Sequence, residues 1–359
     1  MKILITPFAL LWSIQGLSHS LVSVSDTSRI DIDTLSQQNI TTSIPEDNFV
    51  YQPIRNPFIM ADYFSDYPTW LALEESLQHW SGAMGIDPRV LLTTLAINHD
   101  WSPEDPATEA SIQYYTEELK LVASHLSQYY YHIKEQSFSS DNAATYAIMV
   151  ELNQPDLWPT WLDVYHRWFG EPKMVERDSQ SSPPNMQWPW RIGYRWVPNG
   201  PHSHTGSGFP LSSVDVSYDW PRWGGETYSV TAAHEGYVSV FSRCQLRVTH
   251  PDGWATNYYH MDGIEVQNRA WVEKNDRLGT YATQRNEALC QGGSSTGPHL
   301  HFSLLLDGRF QSLQNVWFGP YRVDVGRYSY DSSCQYSWMF DNRTNIKRCF
   351  WYRVDNPES

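Results

Sequence analysis

The stretch STGPHLHFSL at positions 295–304 sets two histidines one residue apart, after a Gly-Pro turn and at the start of an apolar run. On a β-strand side chains alternate between faces, so His299 and His301 share one face while Leu300 points the other way. Two imidazoles aimed into one space are either a solvated strand edge or part of a metal site, and an isolated His-x-His does not decide between them. The chain supplies further donors. Of its 13 histidines, His202, His204, His234, His250, His260, His299 and His301 lie in the second half. A hydrolytic zinc site needs three ligands from His, Asp, Glu or Cys, a fourth position open to water, and an acid–base group beside it. NGPHSHTGSGFPLSSVDVSYDW offers His202 or His204 followed by Asp215, and YYHMD offers His260. With the His299/His301 pair the set is complete. His234 in AAHEG and His250 in VTHPDG lie beside turn residues and read as structural. No H-E-x-x-H occurs, so a glutamate base of the thermolysin kind is not available.

The elements that hold these donors differ between the two halves of the 359-residue chain, which is long enough for two cores. MKILITPFALLWSIQGLSHS (1–20) has the layout of a secretory signal, with Lys2, an apolar stretch and small or polar residues after it. No other segment is apolar enough to anchor the chain in a membrane. A Ser/Thr/Asp-rich leader runs to about Asn48. From about Tyr67 to Gly170 apolar residues recur every three or four positions, which predicts an ordered, amphipathic helical region. VERDSQSSPPNMQ (175–187) has no apolar pattern and reads as an exposed, cleavable linker. Beyond it, YSVTAAHEGYVSVFS, QLRVTHP, WATNYYHM and HLHFSLLLDG read as short strands bounded by Gly, Pro and Asp.

Charge and cysteine follow the same boundary. Residues 181–359 carry 16 basic and 16 acidic residues, so the net charge of −15 belongs to the first half. All four cysteines lie in the second. In an exported chain they read as disulfides, and of the three pairings Cys244–Cys290 with Cys334–Cys349 is favoured, the second closing a short loop. C-x-x-C spacing is absent. An acidic chain without a basic stripe gives no support for nucleic-acid binding. Residues 21–180 therefore read as a pro-region and 181–359 as the mature domain.

GPHSHTGSGFPLSSVDVSYDWPRWGG, SRCQLRVTHPDGWATNYYHMD and CQGGSSTGPHLHFSLL resemble the β-lytic and staphylolysin (LasA-type) branch of the M23 zinc metallopeptidases. The likeness runs over about the last 180 residues and includes all four cysteines. It implies an all-β catalytic domain built on antiparallel sheet, preceded by the mainly α-helical pro-region. It also implies one Zn²⁺ per chain on His202, Asp215 and His301, with His260 and His299 unligated beside it as the catalytic pair. Asp215 suits that role because two neutral imidazoles leave a divalent ion uncompensated. His204 is the rival to His202, since two residues on it faces the same way if the segment is extended. Tyr259 and Tyr330 are further candidates for polarising the scissile carbonyl, among 22 tyrosines that mostly serve packing.

The activity implied is a secreted zinc endopeptidase, made as a zymogen, that cuts Gly–Gly bonds in glycine-rich peptides such as peptidoglycan cross-bridges, and elastin-like proteins. The pro-region is then the inhibitor, removed by a processing protease. The competing readings are an endopeptidase for D-amino-acid bonds of the peptidoglycan stem and a non-catalytic wall-binding domain. Retention of all three ligands and both free histidines argues against the last.

Overall fold

A computed structural model describes residues 40, 42–135, 142–172 and 182–358. The expected signal (1–20) and the first part of the expected linker (175–181) lie outside the described residues. The first half is helical: α1 (Glu46–Phe49), α2 (Met60–Asp66), α3 (Glu74–Met84), α4 (Pro88–His99), α5 (Glu109–Glu135), α6 (Ala143–Leu152) and α7 (Trp158–Phe169). Local chemistry sets the boundaries. Asp87 caps α4 by accepting from the Arg89 N–H, with Pro88 in its first turn. Gly85, at φ +72°, ends α3 and donates its N–H to the Ser81 carbonyl. The 27-residue α5 buries Leu119, Val122, Ala123, Leu126, Tyr130 and Ile133, spaced to form one stripe. Helix begins earlier than the periodicity predicts. α1 and α2 span four and seven residues, too short to display a repeat, and Asp47, Asn48 and Phe49 are buried, so the expected leader enters the packed unit before Asn48.

Residues 182–358 are β-rich. Nine antiparallel strands form the main sheet: β1 (Arg195–Pro198), β2 (Ser213–Ser217), β3 (Gly236–Ser242), β4 (Gln245–Thr249), β5 (Trp254–Tyr259), β6 (Trp271–Val272), β7 (Leu300–Leu306), β8 (Arg309–Phe310) and β9 (Val354–Asp355). Their order is β9-β1-β2-β7-β5-β4-β3-β6, with β8 paired to β7, and smaller sheets of four and three strands complete the unit. Both cysteine pairs form as expected, Cys244–Cys290 and Cys334–Cys349. Met186 and Gln187, at the end of the expected linker, are buried against this unit, where the Gln187 N–H donates to the Ala233 carbonyl.

The main sheet has two unlike faces. Val214, Val216, Leu246, Val248, Phe302 and Leu304 pack into the β core. The alternate residues, among them Asp215, Arg247, Asn257, Tyr259, His301 and Ser303, point the other way, as the strand period requires. The helical unit lies on this second face, so that Phe241, Ala255, Leu305 and Phe310 belong to its apolar cluster. Polar contacts reinforce the seam. Arg309 pairs with Glu46 at 3.1 Å and Asp47 at 2.9 Å, and Arg55 pairs with Asp307 at 2.7 Å.

His79 of α3 is fully buried in this seam, its Nδ1 2.9 Å from Ser242 Oγ and its ring edge-on to Tyr259 at 5.0 Å. Burial pushes its pKa down to about 3. An imidazole in water protonates near 6.5, so the unfolded state takes up a proton that the folded state resists. This contribution to stability is present above pH ~6.5 and is lost as pH falls toward 3. Between pH 7 and pH 4 the full chain should lose on the order of 2–3 kcal/mol more unfolding free energy than His79→Leu, measured by urea titration. Equal losses contradict this role for His79.

Candidate metal centre

Three side chains converge at one end of the second face. Asp215 on β2 and His301 on β7 are direct cross-strand partners, which puts both on the same face. His202 precedes β2 but pairs with its first residue, exchanging both backbone hydrogen bonds with Ser213 at 2.9 Å. It therefore stands opposite a residue two positions from Asp215, on Asp215's face. His202 Nε2, His301 Nδ1 and Asp215 Oδ1 are separated by 3.3, 3.3 and 2.8 Å. A tetrahedral ion with bonds of about 2.0–2.1 Å sets its ligand atoms about 3.3 Å apart, so the donors fit a Zn²⁺-sized ion.

Each donor is held by a further group. His202 Nδ1 donates to the Gly200 carbonyl at 3.1 Å, leaving Nε2 as the electron-pair donor. His301 uses Nδ1 toward the centre while its Nε2 lies 3.3 Å from Ser303 Oγ. Asp215 Oδ2 accepts from Asn199 Nδ2 at 2.8 Å, and Asn199 Oδ1 accepts from the Asp215 N–H at 2.8 Å. Burial by itself raises the Asp215 pKa. The imidazoles of His202, His299 and His301 around it outweigh this, holding the carboxylate well below its usual range. Burial lowers the His301 pKa against the opposing pull of Asp215, which keeps the ring a neutral donor.

His260 and His299 flank the cluster. His260 Nδ1 donates to the Ala288 carbonyl at 2.9 Å and His299 Nδ1 to the Gly297 carbonyl at 2.8 Å. A carbonyl only accepts, so both rings keep Nε2 as a basic nitrogen. His299 Nε2 lies 3.6 Å from Asp215 Oδ1. Burial, then the nearby His299, push the His260 pKa well down. Tyr330, although 39% exposed, stacks on His202 at 4.1 Å, and partial desolvation followed by the Asp215 charge raises its phenol pKa. His260 and Tyr330 take φ of +63° and +62°, left-handed geometry that is uncommon away from glycine. Tyr259 stacks on His260 at 4.0 Å, but its hydroxyl donates to the Gly292 carbonyl at 2.9 Å. His204 turns away from the cluster. Its Nε2 is 2.8 Å from Ser127 Oγ of α5, and its ring stacks on Phe310 at 3.6 Å. His79, Cys244 and Cys290 also converge, but their sulfurs are spent in a disulfide and offer no thiolate.

Comparison with known proteins gives the family. Residues 42–185 match the LasA N-terminal domain and residues 223–312 match peptidase family M23. Protease LasA of Pseudomonas aeruginosa is 39% identical over 90% of this chain and 88% of its own length. The chain belongs to peptidase family M23. It is a metalloendopeptidase whose helical half is a LasA N-terminal domain. The β-lytic metalloendopeptidase of Lysobacter enzymogenes is 35% identical over 48% of this chain and 96% of its own. The solved M23 metalloprotease pseudoalterin, from the deep sea, is 43% identical over 49% of this chain and 100% of its own, with a TM-score of 0.47.

In this M23 peptidase the supporting groups were not visible as motifs. Asn199 belongs to PNGPH, which reads as a turn, and Ser303 to an apolar strand. The one available signal was that Ser303, like His299, lies two residues from His301. Asn199→Ala frees the Asp215 carboxylate from its clamp. It should weaken metal affinity about 10–100-fold, read by competition against a chelator, with folding unchanged. Unchanged affinity contradicts the clamp.

Proposed function

We propose that this M23 peptidase is a secreted zinc endopeptidase, made as a zymogen, that hydrolyses Gly–Gly bonds in glycine-rich peptides such as peptidoglycan cross-bridges. The observation that carries the chemistry is the pair of imidazoles, His260 and His299, each with a basic Nε2 beside the three donors His202, Asp215 and His301. Zinc, when bound there, supplies a water acidified toward a pKa of about 7 and positive charge for the developing oxyanion. The chain supplies the proton traffic. Nε2 of His260 or His299 takes the proton of the attacking water and returns it to the leaving amine nitrogen. The Tyr330 hydroxyl donates to the carbonyl oxygen as charge grows on it, and the other imidazole does so when its Nε2 carries a proton. Asp215 stays ionised and buried, and offsets part of the ion's charge.

Latency is supported by the place of the helical unit. His79 packs on Tyr259, Tyr259 on His260, and His260 on His299, so a run of ring contacts leads from α3 to the centre. Trp80 of α3 lies over Gly292 and Gly293, beside Tyr259. The unit that covers this face of the main sheet is joined to the β unit by the segment around residues 175–187, which a processing protease would cut. Two disulfides accord with export, because they persist in oxidising compartments. Among the described residues no helix is long and apolar enough to cross a membrane.

His202→Ala, Asp215→Ala and His301→Ala should each lose bound zinc and activity together. His260→Ala and His299→Ala should retain zinc, by elemental analysis, and lose at least about a hundredfold in kcat. Full zinc occupancy in His301→Ala, or loss of zinc from His299→Ala, reverses the roles. The uncut chain should be inactive and become active after limited proteolysis. It should then digest a pentaglycine-bridged wall and leave a directly cross-linked one intact. Equal activity before and after the cut contradicts latency, and digestion of both walls contradicts the glycine reading.

A further inference from the structure

Arg247 of β4 is buried to 1% exposure on the groove face, and its hydrogen-bond partners are all neutral. Its Nε donates to Asn257 Oδ1 of β5 at 2.9 Å, which locks the two side chains together. The remaining donors leave the β unit. Arg247 Nη1 donates to the Tyr51 carbonyl at 2.9 Å, while Arg247 Nη2 and Asn257 Nδ2 both donate to the Gly82 carbonyl at 3.0 Å. Gly82 lies in the last turn of α3, where backbone carbonyls lack helical partners and the helix dipole favours a cation. Burial lowers the Arg247 pKa to about 10, so the guanidinium remains charged at neutral pH. Phe241 closes the side of the site, its ring 5.1 Å from the Arg247 carbon and so near Gly82 that an added Cβ would meet it at 2.1 Å. The site thus holds a backbone carbonyl and has no room for a side chain on the residue that presents it.

We propose that Arg247 and Asn257 form a peptide-carbonyl site on the groove floor, filled by Gly82 of the helical unit in the intact chain and by a glycine carbonyl of the substrate after cleavage. Asn257 pairs with Ser303, and Tyr259 with His301, so the site is two strand residues, about 6.6 Å, from the row that carries Asp215 and His301. An extended peptide cut at the centre places a carbonyl there within two or three residues of the broken bond. Phe241 then excludes Cβ at that residue, so one physical device serves both latency and glycine selection. The inference rests on the Gly–Gly endopeptidase reading, since it names how that substrate is held.

The test uses the full chain, nicked by limited proteolysis, with an internally quenched pentaglycine peptide. Arg247→Lys keeps the cation but loses the fork, and the isosteric Asn257→Asp turns a donor into an acceptor. Each should raise KM about tenfold or more while kcat changes far less, with zinc content and melting temperature recording an intact fold. A series of peptides with alanine at successive positions should show one position at which wild type fails and Phe241→Ala cleaves. Wild-type cleavage with unchanged KM in both variants overturns the carbonyl site and leaves the Gly–Gly reading standing. So does a result in which the only effect is activity of the uncut variants, since Arg247 is then a lock for the helical unit alone. Failure of nicked wild type to cut any glycine peptide removes the Gly–Gly reading, and this inference with it.

Discussion

The register between β2 and β7 is the constraint on which the rest of the molecule depends. Asp215 stands opposite His301, and one residue to either side Val214 and Val216 stand opposite Phe302 and Leu300. All four apolar partners are fully buried. A slip of one residue would turn them toward the groove and drive a carboxylate and an imidazole into the core. Burying each such side chain contributes about 1.5–3 kcal/mol, so the hydrophobic face holds the polar face in place. The donor geometry is thus fixed from below by packing before any ion contributes.

The groove face is served twice. Towards one end it gathers an ionised carboxylate and four imidazoles, a cluster whose cost of burial is met by hydrogen bonds and by mutual charge. Along its length it presents Phe241, Ala255, Leu305 and Phe310, apolar surface that the helical unit covers. The acidic balance of that unit has a local counterpart, since Glu46 and Asp47 meet Arg309 of the β unit. His204 joins the two roles. It follows His202 by two residues, yet its ring is held by Ser127 and stacked on Phe310, so the segment that supplies a donor also carries a contact to α5.

The residues legible in the sequence were those whose meaning is local. The His-x-His pair at 299 and 301 declares its face through strand alternation, and β3, β4, β5 and β7 fall where Val, Tyr and Thr runs are bounded by turns. Residues whose meaning is set by distant partners were not legible. Nothing near His204 separates it from His202, because the difference lies in Ser127, 77 positions away. Arg247 lies in QLRVTHP, which reads only as a strand, and its partners are far off in sequence at positions 51 and 82. Strand Ile346–Cys349 escaped for another reason: it is an exposed edge rich in charge, without the alternation that marks a half-buried strand.

We propose that packing of the β unit preforms one metal centre of two imidazoles and one carboxylate from His202, Asp215 and His301. Zinc K-edge X-ray absorption on the intact, uncut chain addresses it most directly. The expected result is a shell of nitrogen and oxygen alone at about 2.0–2.1 Å, with outer-shell scattering from two imidazoles. A sulfur scatterer at about 2.3 Å, or a third imidazole in the shell, would contradict it.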